Sequence, residues 1–356
     1  MILIKFPLYK DDKNPIEDIS KERRLAVVEF EDKVKKGEYH YIENICLCAN
    51  KDSAFDIVIS EKDRYGISVK FLLCKKCSLL RSDKKLDSQS LADFYTYYYR
   101  RIYGDGLLSI ENEFNGQVKK GNIYKRKLEK YIPLKEIETI YDFGCGAGGT
   151  LFPFLNKRTK VFGSDYDYDR LKYGKEKGLN LLHAIDDKQE IEDKKYDLLI
   201  LSHVMEHFAN PISELNKLFE LITDDGYIVV VVPSSLYVGK SPHITCRFFQ
   251  NVHLYNFNKV YLDGFFKALN MEVIYSDEES FCILKKPKNW IKNYLDFYSD
   301  VRLNGKYKEI VSNFQKVVIL NDILKISTIK THIVLFIIMI TDKLGIKENM
   351  KRILGR

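Results

Sequence analysis

The sequence predicts an α/β fold with a doubly wound, mostly parallel sheet of seven strands. Short apolar runs alternate with helical patterns between about residues 139 and 285. A glycine-rich turn follows the first run, and an acidic residue ends the second. Ligands of such folds bind beyond the carboxyl ends of the strands, so we expect both features at one edge of the sheet.

Seven apolar runs are the predicted strands, and helical segments such as 170–178 and 211–222 separate most of them. Short apolar runs that alternate with helices are typical of a parallel sheet covered on both faces. The last two runs lie close together, which predicts an antiparallel strand at the sheet edge. The predicted strands are 139–143, 160–165, 179–185, 196–202, 227–233, 271–276 and 281–286.

The turn after the first strand, YDFGCGAGG at 141–149, fits two kinds of nucleotide pocket. Gly144, Gly146 and Gly149 satisfy the G-x-G-x-x-G pattern of dinucleotide folds. Gly144, Gly146 and Gly148 satisfy the tighter G-x-G-x-G pattern of S-adenosylmethionine enzymes. Backbone N–H groups of such a turn are free to bind a ligand, because glycine lets the chain approach closely.

Two acidic residues bear on this choice. Asp165 lies 21 residues after Gly144 and suits both cofactors, because each has ribose hydroxyls for a carboxylate to bind. Asp142 stands where dinucleotide folds usually keep an apolar residue, and its carboxylate can hold the ammonium end of a methionyl group. The motif therefore favours S-adenosylmethionine.

The order of motifs over about residues 115–285 resembles the class I S-adenosylmethionine-dependent methyltransferases. The matching segments are YDFGCGAGGTL, VFGSDYD, YDLLILSHVMEHFANP, LITDDGYIVVVVPSS and HLYNFNKVYLDGFFKALNMEV. The resemblance implies a Rossmann-like fold, with Asp165 on the ribose and Asp186 or Asp187 on the adenine amine, although both of the latter also suit a turn. The predicted cofactor residues are Asp142, Gly144, Gly146, Gly148, Asp165, Asp187 and Ser202.

Four of the seven cysteines form two close pairs, Cys46-x-Cys48 and Cys74-x-x-Cys77, with 25 residues between the pairs. An odd cysteine count without a secretion signal argues against a disulfide framework. Two thiolate pairs joined by a hairpin can supply four ligands to a structural Zn²⁺, which predicts a small zinc-ribbon-like module. Reduced core cysteines or another metal are the alternatives.

The cysteine region resembles the N-terminal part of bacterial methyltransferases that act on sugars and surface polysaccharides, including deoxysugar C-methyltransferases. The matching elements are CLC, DRYG, LLCKKCSLL and FYTYYYRRIYG. Ser78 stands where those proteins usually have glycine. The resemblance implies a sugar or nucleotide-sugar acceptor used in surface glycan synthesis. Methylation of RNA or protein, or cofactor binding without catalysis, are the alternatives.

Histidines are the candidate proton acceptors, because their pKa lies near neutrality. His203 and His207 follow the fourth strand with Glu206, at the edge where ligands bind, and each also suits a helix cap or an outer face. His253 ranks first, because the sugar C-methyltransferases have a histidine beyond the fifth strand. Those enzymes have an acidic residue directly before this histidine, whereas this sequence has Val252. His243 is a weaker candidate, and a packing role remains open for His253.

Charge and composition bound the remaining predictions. The chain of 356 residues has a net charge of +7, but residues 285–356 hold 15 Lys and Arg against 6 Asp and Glu, which leaves −2 elsewhere. We therefore expect no nucleic-acid partner.

No secretion signal and no run of ~18 apolar residues is visible, which predicts a cytoplasmic protein. The apolar run 333–340 and the basic residues after it predict either a helix on the inner face of the membrane or a buried or dimer-forming helix.

The chain is divided into four predicted regions. Residues 1–90 contain the cysteine module, and residues 91–135 form an aromatic helical linker or lid. Residues 136–286 form the cofactor-binding domain, and residues 287–356 form a basic helical extension. Tyr98, Tyr99 and Arg100 in the linker suit either contact with the acceptor or core packing.

Overall fold

A computed structural model describes residues 6–104, 109–236, 246–293, 295–299, 303 and 305–316. The helices are α1 (Lys21–Lys35), α2 (Ser88–Tyr97), α3 (Tyr99–Tyr103), α4 (Ile110–Leu128), α5 (Tyr168–Glu176), α6 (Lys188–Glu192), α7 (Pro211–Glu220) and α8 (Lys259–Ala268). The strands are β1 (Tyr41–Glu43), β2 (Asp56–Ser60), β3 (Phe71–Cys74), β4 (Leu80–Ser82), β5 (Lys84–Leu86), β6 (Thr139–Phe143), β7 (Lys160–Asp165), β8 (Asn180–His183), β9 (Tyr196–Ser202), β10 (Ile222–Val231), β11 (Tyr255–Asn256), β12 (Glu272–Ser276) and β13 (Phe281–Lys285).

The largest sheet has seven strands in the order β8-β7-β6-β9-β10-β13-β12. Pairing is parallel from β8 to β10, and β13 is antiparallel to both of its neighbours. This arrangement confirms the predicted α/β, Rossmann-like, mostly parallel sheet. The prediction placed the antiparallel strand at the sheet edge, but the antiparallel strand is β13, which lies between β10 and β12. The edge strand is β12, because the β12–β13 hairpin pairs with β10 through β13.

The central strands are buried on both faces, as parallel strands between helices are expected to be. Along β9, Leu199 and Leu201 belong to one core cluster, whereas Leu198 and Ile200 belong to the other. Helix α7 covers the first face and α4 the second. Asn210 caps α7 by accepting a hydrogen bond from the N–H of Ser213 at 3.2 Å. Helix α4 begins in the same way, with Ser109 as its cap.

A second, four-stranded antiparallel sheet has the order β11-β4-β3-β2. Three of its strands come from the cysteine region, but β11 comes from the chain beyond β10. Tyr255 of β11 pairs with Arg81 of β4, and the hydroxyl of Tyr255 donates to Asn44 Oδ1 at 2.9 Å. The segment that follows β10 is therefore held against the cysteine region by strand pairing.

The first part of the C-terminal extension packs on this second sheet. Residues 307–316 are helical, and Ile310 and Phe314 are buried in a cluster with Phe71 and Phe249. Phe314 stacks on Phe249 with 5.9 Å between ring centroids. The predicted membrane or dimer helix lies outside the described residues. Within the described residues, no helix combines the length and the apolar character needed to span a membrane.

Candidate active site

The glycine-rich turn leaves β6 with three glycines in the left-handed region. Their φ angles are +76° at Gly144, +56° at Gly146 and +80° at Gly148. A Cβ atom at Gly144 would lie 2.8 Å from Val204 Cγ2, so the backbone approaches its neighbour more closely than another residue allows. Gly149 has no positive φ, and a Cβ there would meet the carbonyl oxygen of Phe114 at 2.3 Å. The unusual conformations thus follow the G-x-G-x-G spacing.

Asp165 ends β7 beside this turn. Its Oδ2 atom accepts a hydrogen bond from the N–H of Gly146 at 2.8 Å, and its Oδ1 atom accepts one from the N–H of Asp167 at 3.1 Å. Two apolar side chains at the same edge, Tyr166 and Ile185, are 60% and 65% exposed. Exposed apolar groups beside a carboxylate suit a ligand with a flat ring attached to a sugar.

Asp142 is buried at the carboxyl end of β6. Its Oδ1 atom has no hydrogen-bond partner among the described residues. Burial, together with the nearby charge of Asp165, raises the pKa of Asp142 well above its usual value. A buried carboxylate without a partner is costly, so this position favours a cationic ligand. Ser202, at the end of β9, instead contacts the Tyr124 hydroxyl at 2.9 Å.

Helix α4 is hydrogen-bonded to the glycine-rich turn through its side chains. Gln117 Nε2 donates to the carbonyl oxygen of Cys145 at 3.2 Å, and Gln117 Oε1 accepts from the N–H of Gly149 at 3.0 Å. One turn earlier on the helix, Glu113 binds Arg170 at 2.8 Å. The sequence analysis missed Gln117 and Glu113, although their spacing of four residues places both on one face of α4.

The two acids after β8 both have partners within the chain. Asp187 Oδ2 accepts a hydrogen bond from the N–H of His183 at 2.7 Å. Asp186 contacts the Tyr168 hydroxyl and lies 3.1 Å from His183 Nδ1. The predicted contact of either acid with adenine stays a prediction.

Four polar side chains meet beyond β9, on the other side of the glycine turn. His203 has a positive φ of +59° and is 44% exposed, and its Nδ1 atom lies 3.5 Å from Glu206 Oε1. Glu206 is fully buried, and the rings of His207 and His253 lie 4.9 Å apart at 86°. The N–H of Leu254 donates to the carbonyl oxygen of Glu206 at 2.9 Å, which joins the two segments. The structure thus brings together all three predicted histidines, whereas His243 lies outside the described residues.

Burial sets the charges in this cluster. Burial acts to raise the pKa of Glu206, but contact with His203 and the neighbouring His207 and His253 outweighs it and holds the pKa at about 2. Burial lowers the pKa of His207, and it lowers the pKa of His253 well below the usual value. Burial therefore favours the neutral forms of His207 and His253, while contact with His203 favours the ionised form of Glu206.

The tyrosine-rich helices form one wall of this cluster. The Tyr95 hydroxyl lies 3.1 Å from His207 Nδ1, and Tyr99 approaches the same ring edge to face at 6.3 Å. Tyr98 instead packs in a separate core, 5.9 Å from Phe30. The structure therefore places Tyr99 near the site and Tyr98 away from it, and it adds Tyr95, which the sequence analysis did not single out.

Arg100, predicted to contact the acceptor or to pack in the core, lies at the glycine turn. Its Nε atom is 3.3 Å from Asp167 Oδ2, and its Nη1 atom is 3.7 Å from Glu113 Oε1. Arg170 binds the same two carboxylates. The ion pairs of Arg100 thus support the cofactor side of the site.

The four paired cysteines converge at the end of β3 in the second sheet, where Cys74 is the last residue of the strand. Their sulfur atoms are separated by 3.4 Å for Cys46 and Cys77, 3.5 Å for Cys46 and Cys48, and 3.8 Å for Cys48 and Cys74. Ser78, which stands in place of the usual glycine, adopts a glycine-like φ of +59°. Its hydroxyl donates to the carbonyl oxygen of Leu303 at 2.8 Å, so the turn keeps its shape with serine.

Part of the chain is similar in sequence to known proteins. Residues 115–276 match the family model described as a methyltransferase domain. A curated sphingolipid C9-methyltransferase of Komagataella phaffii (strain GS115) is 31% identical over 156 residues, which cover 38% of this chain and 32% of that protein. The chain thus spans about a third of the length of the curated relative that it matches.

Solved methyltransferase structures also align with the chain. Magnesium protoporphyrin IX methyltransferase from Synechocystis PCC 6803, solved with bound SAH, aligns with a TM-score of 0.39 and 16% identity, covering 56% of this chain and 100% of that chain. A SAM-dependent methyltransferase from Archaeoglobus fulgidus aligns with a TM-score of 0.35 and 19% identity, covering 62% and 93%.

Proposed function

We propose, on the premise that residues 115–276 form a methyltransferase domain, that this chain binds S-adenosylmethionine and methylates a small-molecule acceptor. The buried, unpartnered oxygen of Asp142 is the observation that carries the proposal. A dinucleotide has no ammonium group to place there, whereas the methionyl end of S-adenosylmethionine has one. The bound cofactor supplies a methyl group as an electrophile on a positively charged sulfur.

The residues at the edge of the sheet fit this cofactor. The turn at Gly144, Gly146 and Gly148 presents backbone to the ligand, because no Cβ atoms stand in the way. Asp165 would accept hydrogen bonds from the ribose hydroxyls in addition to those from Gly146 and Asp167, because each carboxylate oxygen can accept more than one. Tyr166 and Ile185 would cover the faces of the base. Asp187 and Ser202 remain proposed contacts at the rim of this pocket.

We assign the acceptor's proton to His203. Its exposed ring is accessible to an acceptor, while Nδ1 faces Glu206 and leaves Nε2 for the proton. The acceptor oxygen would take the methyl group that the cofactor supplies when it is bound. The hydroxyl proton passes to His203, and the carboxylate of Glu206 stabilises the resulting imidazolium. His253 is 7% exposed and is less accessible for this role.

The acceptor class that we propose is a sugar or a nucleotide-linked sugar of a surface glycan. Tyr95 and Tyr99 are half-buried beside His207, and aromatic faces of this kind pack well on sugar rings. The resemblance of the cysteine region to sugar methyltransferases supports the same class. The curated Komagataella phaffii relative is named a sphingolipid C9-methyltransferase, which makes a lipid the natural comparison acceptor.

An acceptor screen tests this function directly. Purified protein and S-adenosylmethionine would be incubated with nucleotide-linked sugars, lipid-linked glycans, a ceramide-type lipid and RNA, and methylated products would be measured by mass spectrometry. We expect S-adenosylhomocysteine to form only with the nucleotide-linked sugars. Turnover with RNA alone would overturn the acceptor class. Cofactor binding without turnover on any acceptor would indicate a non-catalytic module.

We also propose a structural zinc ion at Cys46, Cys48, Cys74 and Cys77. Zn–S bonds of ~2.3 Å in a tetrahedron separate the sulfur atoms by ~3.8 Å, close to the separations among these thiols. Zinc would hold the turn of residues 46–48 against the end of β3.

A further inference from the structure

A second group of metal-ligating side chains lies in the candidate active site, apart from the cysteines. Ligand atoms of Glu206, His207 and His253 all lie within 4.8 Å of one another. Neither carboxylate oxygen of the fully buried Glu206 is hydrogen-bonded among the residues that the structure describes, and Oε1 has His203 Nδ1 beside it at 3.5 Å. Nδ1 of the buried His253 is likewise without one in the described part of the chain. The two oxygens of Glu206 and Nδ1 of His253 are buried without a hydrogen-bond donor, and such atoms favour a bound group that accepts their electron pairs.

The fold builds this group from two distant segments. Glu206 and His207 lie on the single turn of 3₁₀ helix at Met205–His207, directly after β9 and the strained backbone of His203. His253 precedes β11, whose pairing with β4 fixes its position. The hydrogen bond from the N–H of Leu254 to the carbonyl oxygen of Glu206 then sets the separation of the two segments. The three side chains are thus positioned by main-chain contacts.

We propose that Glu206, His207 and His253 bind a divalent transition-metal cation. Two imidazoles and one carboxylate suit Zn²⁺ or Fe²⁺ better than Ca²⁺ or Mg²⁺, which prefer oxygen ligands. Nitrogen and oxygen ligands of a tetrahedral site lie ~3.3 Å apart, so small side-chain rotations complete the site. The Tyr95 hydroxyl, 3.1 Å from His207 Nδ1, would orient that ring from outside the site.

Three protein ligands leave a coordination position open for an oxygen atom of the acceptor. The cation would hold this oxygen and favour loss of its proton to His203, whose Nδ1 is 3.5 Å from Oε1 of Glu206. This catalytic role rests on the proposed methyl transfer, but binding of the cation does not. A matched pair of binding experiments therefore separates the two.

Cobalt(II) is the probe, because its visible spectrum reports the ligands. Metal-free full-length protein would be titrated with Co²⁺ by equilibrium dialysis and absorption. We expect about two ions per chain, one with the near-ultraviolet charge transfer of thiolate ligands and one without it. Glu206→Gln and His253→Gln should each weaken the second site by more than about 100-fold and leave the thiolate site intact. His40→Gln, which changes an exposed histidine, should bind both ions.

Two further variants keep the test decisive if Glu206→Gln or His253→Gln fails to fold. Tyr95→Phe should weaken the second site by about 10–100-fold. Cys74→Ser should remove the thiolate spectrum and retain one ion with nitrogen and oxygen ligands by X-ray absorption. Equal cobalt binding by the wild type, Tyr95→Phe and His253→Gln would overturn the proposal. S-adenosylmethionine affinity is measured alongside, so that loss of the cation site is not confused with loss of the cofactor site.

Discussion

Replacement of Asp165 by alanine should weaken S-adenosylmethionine binding by about 1–3 kcal/mol, which raises Kd by about 5- to 150-fold. The carboxylate accepts two backbone hydrogen bonds, from Gly146 at 2.8 Å and from Asp167 at 3.1 Å. Alanine removes both of these as well as the proposed contacts with ribose. A hydrogen bond to a charged group contributes about 1.5–3 kcal/mol, so the loss of even one accounts for most of the predicted change.

Isothermal titration with S-adenosylmethionine and with S-adenosylhomocysteine measures this change. Asp165→Asn retains an oxygen that can accept from Gly146, so its Kd should lie between those of the wild type and Asp165→Ala. Asp193→Ala changes an exposed acid at the end of α6 and should bind as the wild type does. Thermal unfolding should show that Asp165→Ala still folds. Unchanged affinity in Asp165→Ala would refute the assignment of the ribose site, and tight NADH binding without S-adenosylmethionine binding would refute the choice of cofactor.

Three further predictions concern the metal, the proton and the dependence of stability on pH. Cys74→Ser should lose about one zinc ion per chain and local order around residues 45–80, as measured by metal analysis and hydrogen exchange; full occupancy after serine replacement of all four cysteines would exclude these ligands. His203→Ala should lower turnover by about 10²–10⁴-fold with little change in cofactor affinity; if His253→Ala alone does so, His253 is the proton acceptor. Burial raises the pKa of Asp63 from 3.8 to about 6, so the free energy of unfolding should fall by up to about 3 kcal/mol as pH rises from about 4 to 6. Urea unfolding should show a flatter pH dependence in Asp63→Asn, and an equal slope would contradict the reasoning.

The sequence alone determined the main sheet, because short apolar runs that alternate with helical patterns indicate buried parallel strands locally. The predicted strands at 139–143, 160–165 and 196–202 have the same bounds in the structure. The three glycines of the G-x-G-x-G spacing are also the ones within 141–149 that adopt positive φ, since only glycine enters that region at little cost. Each of these properties depends on a few neighbouring residues.

The composition of the site was decided only by tertiary structure. His207 and His253 are separated by almost fifty residues, and they meet because a two-residue strand, β11, joins the sheet of the cysteine region. Gln117 reaches the glycine turn because α4 covers one face of the main sheet. Strand pairing between distant segments depends on the whole chain and leaves no periodic pattern in β11, so the sequence could name the histidines but not bring them together.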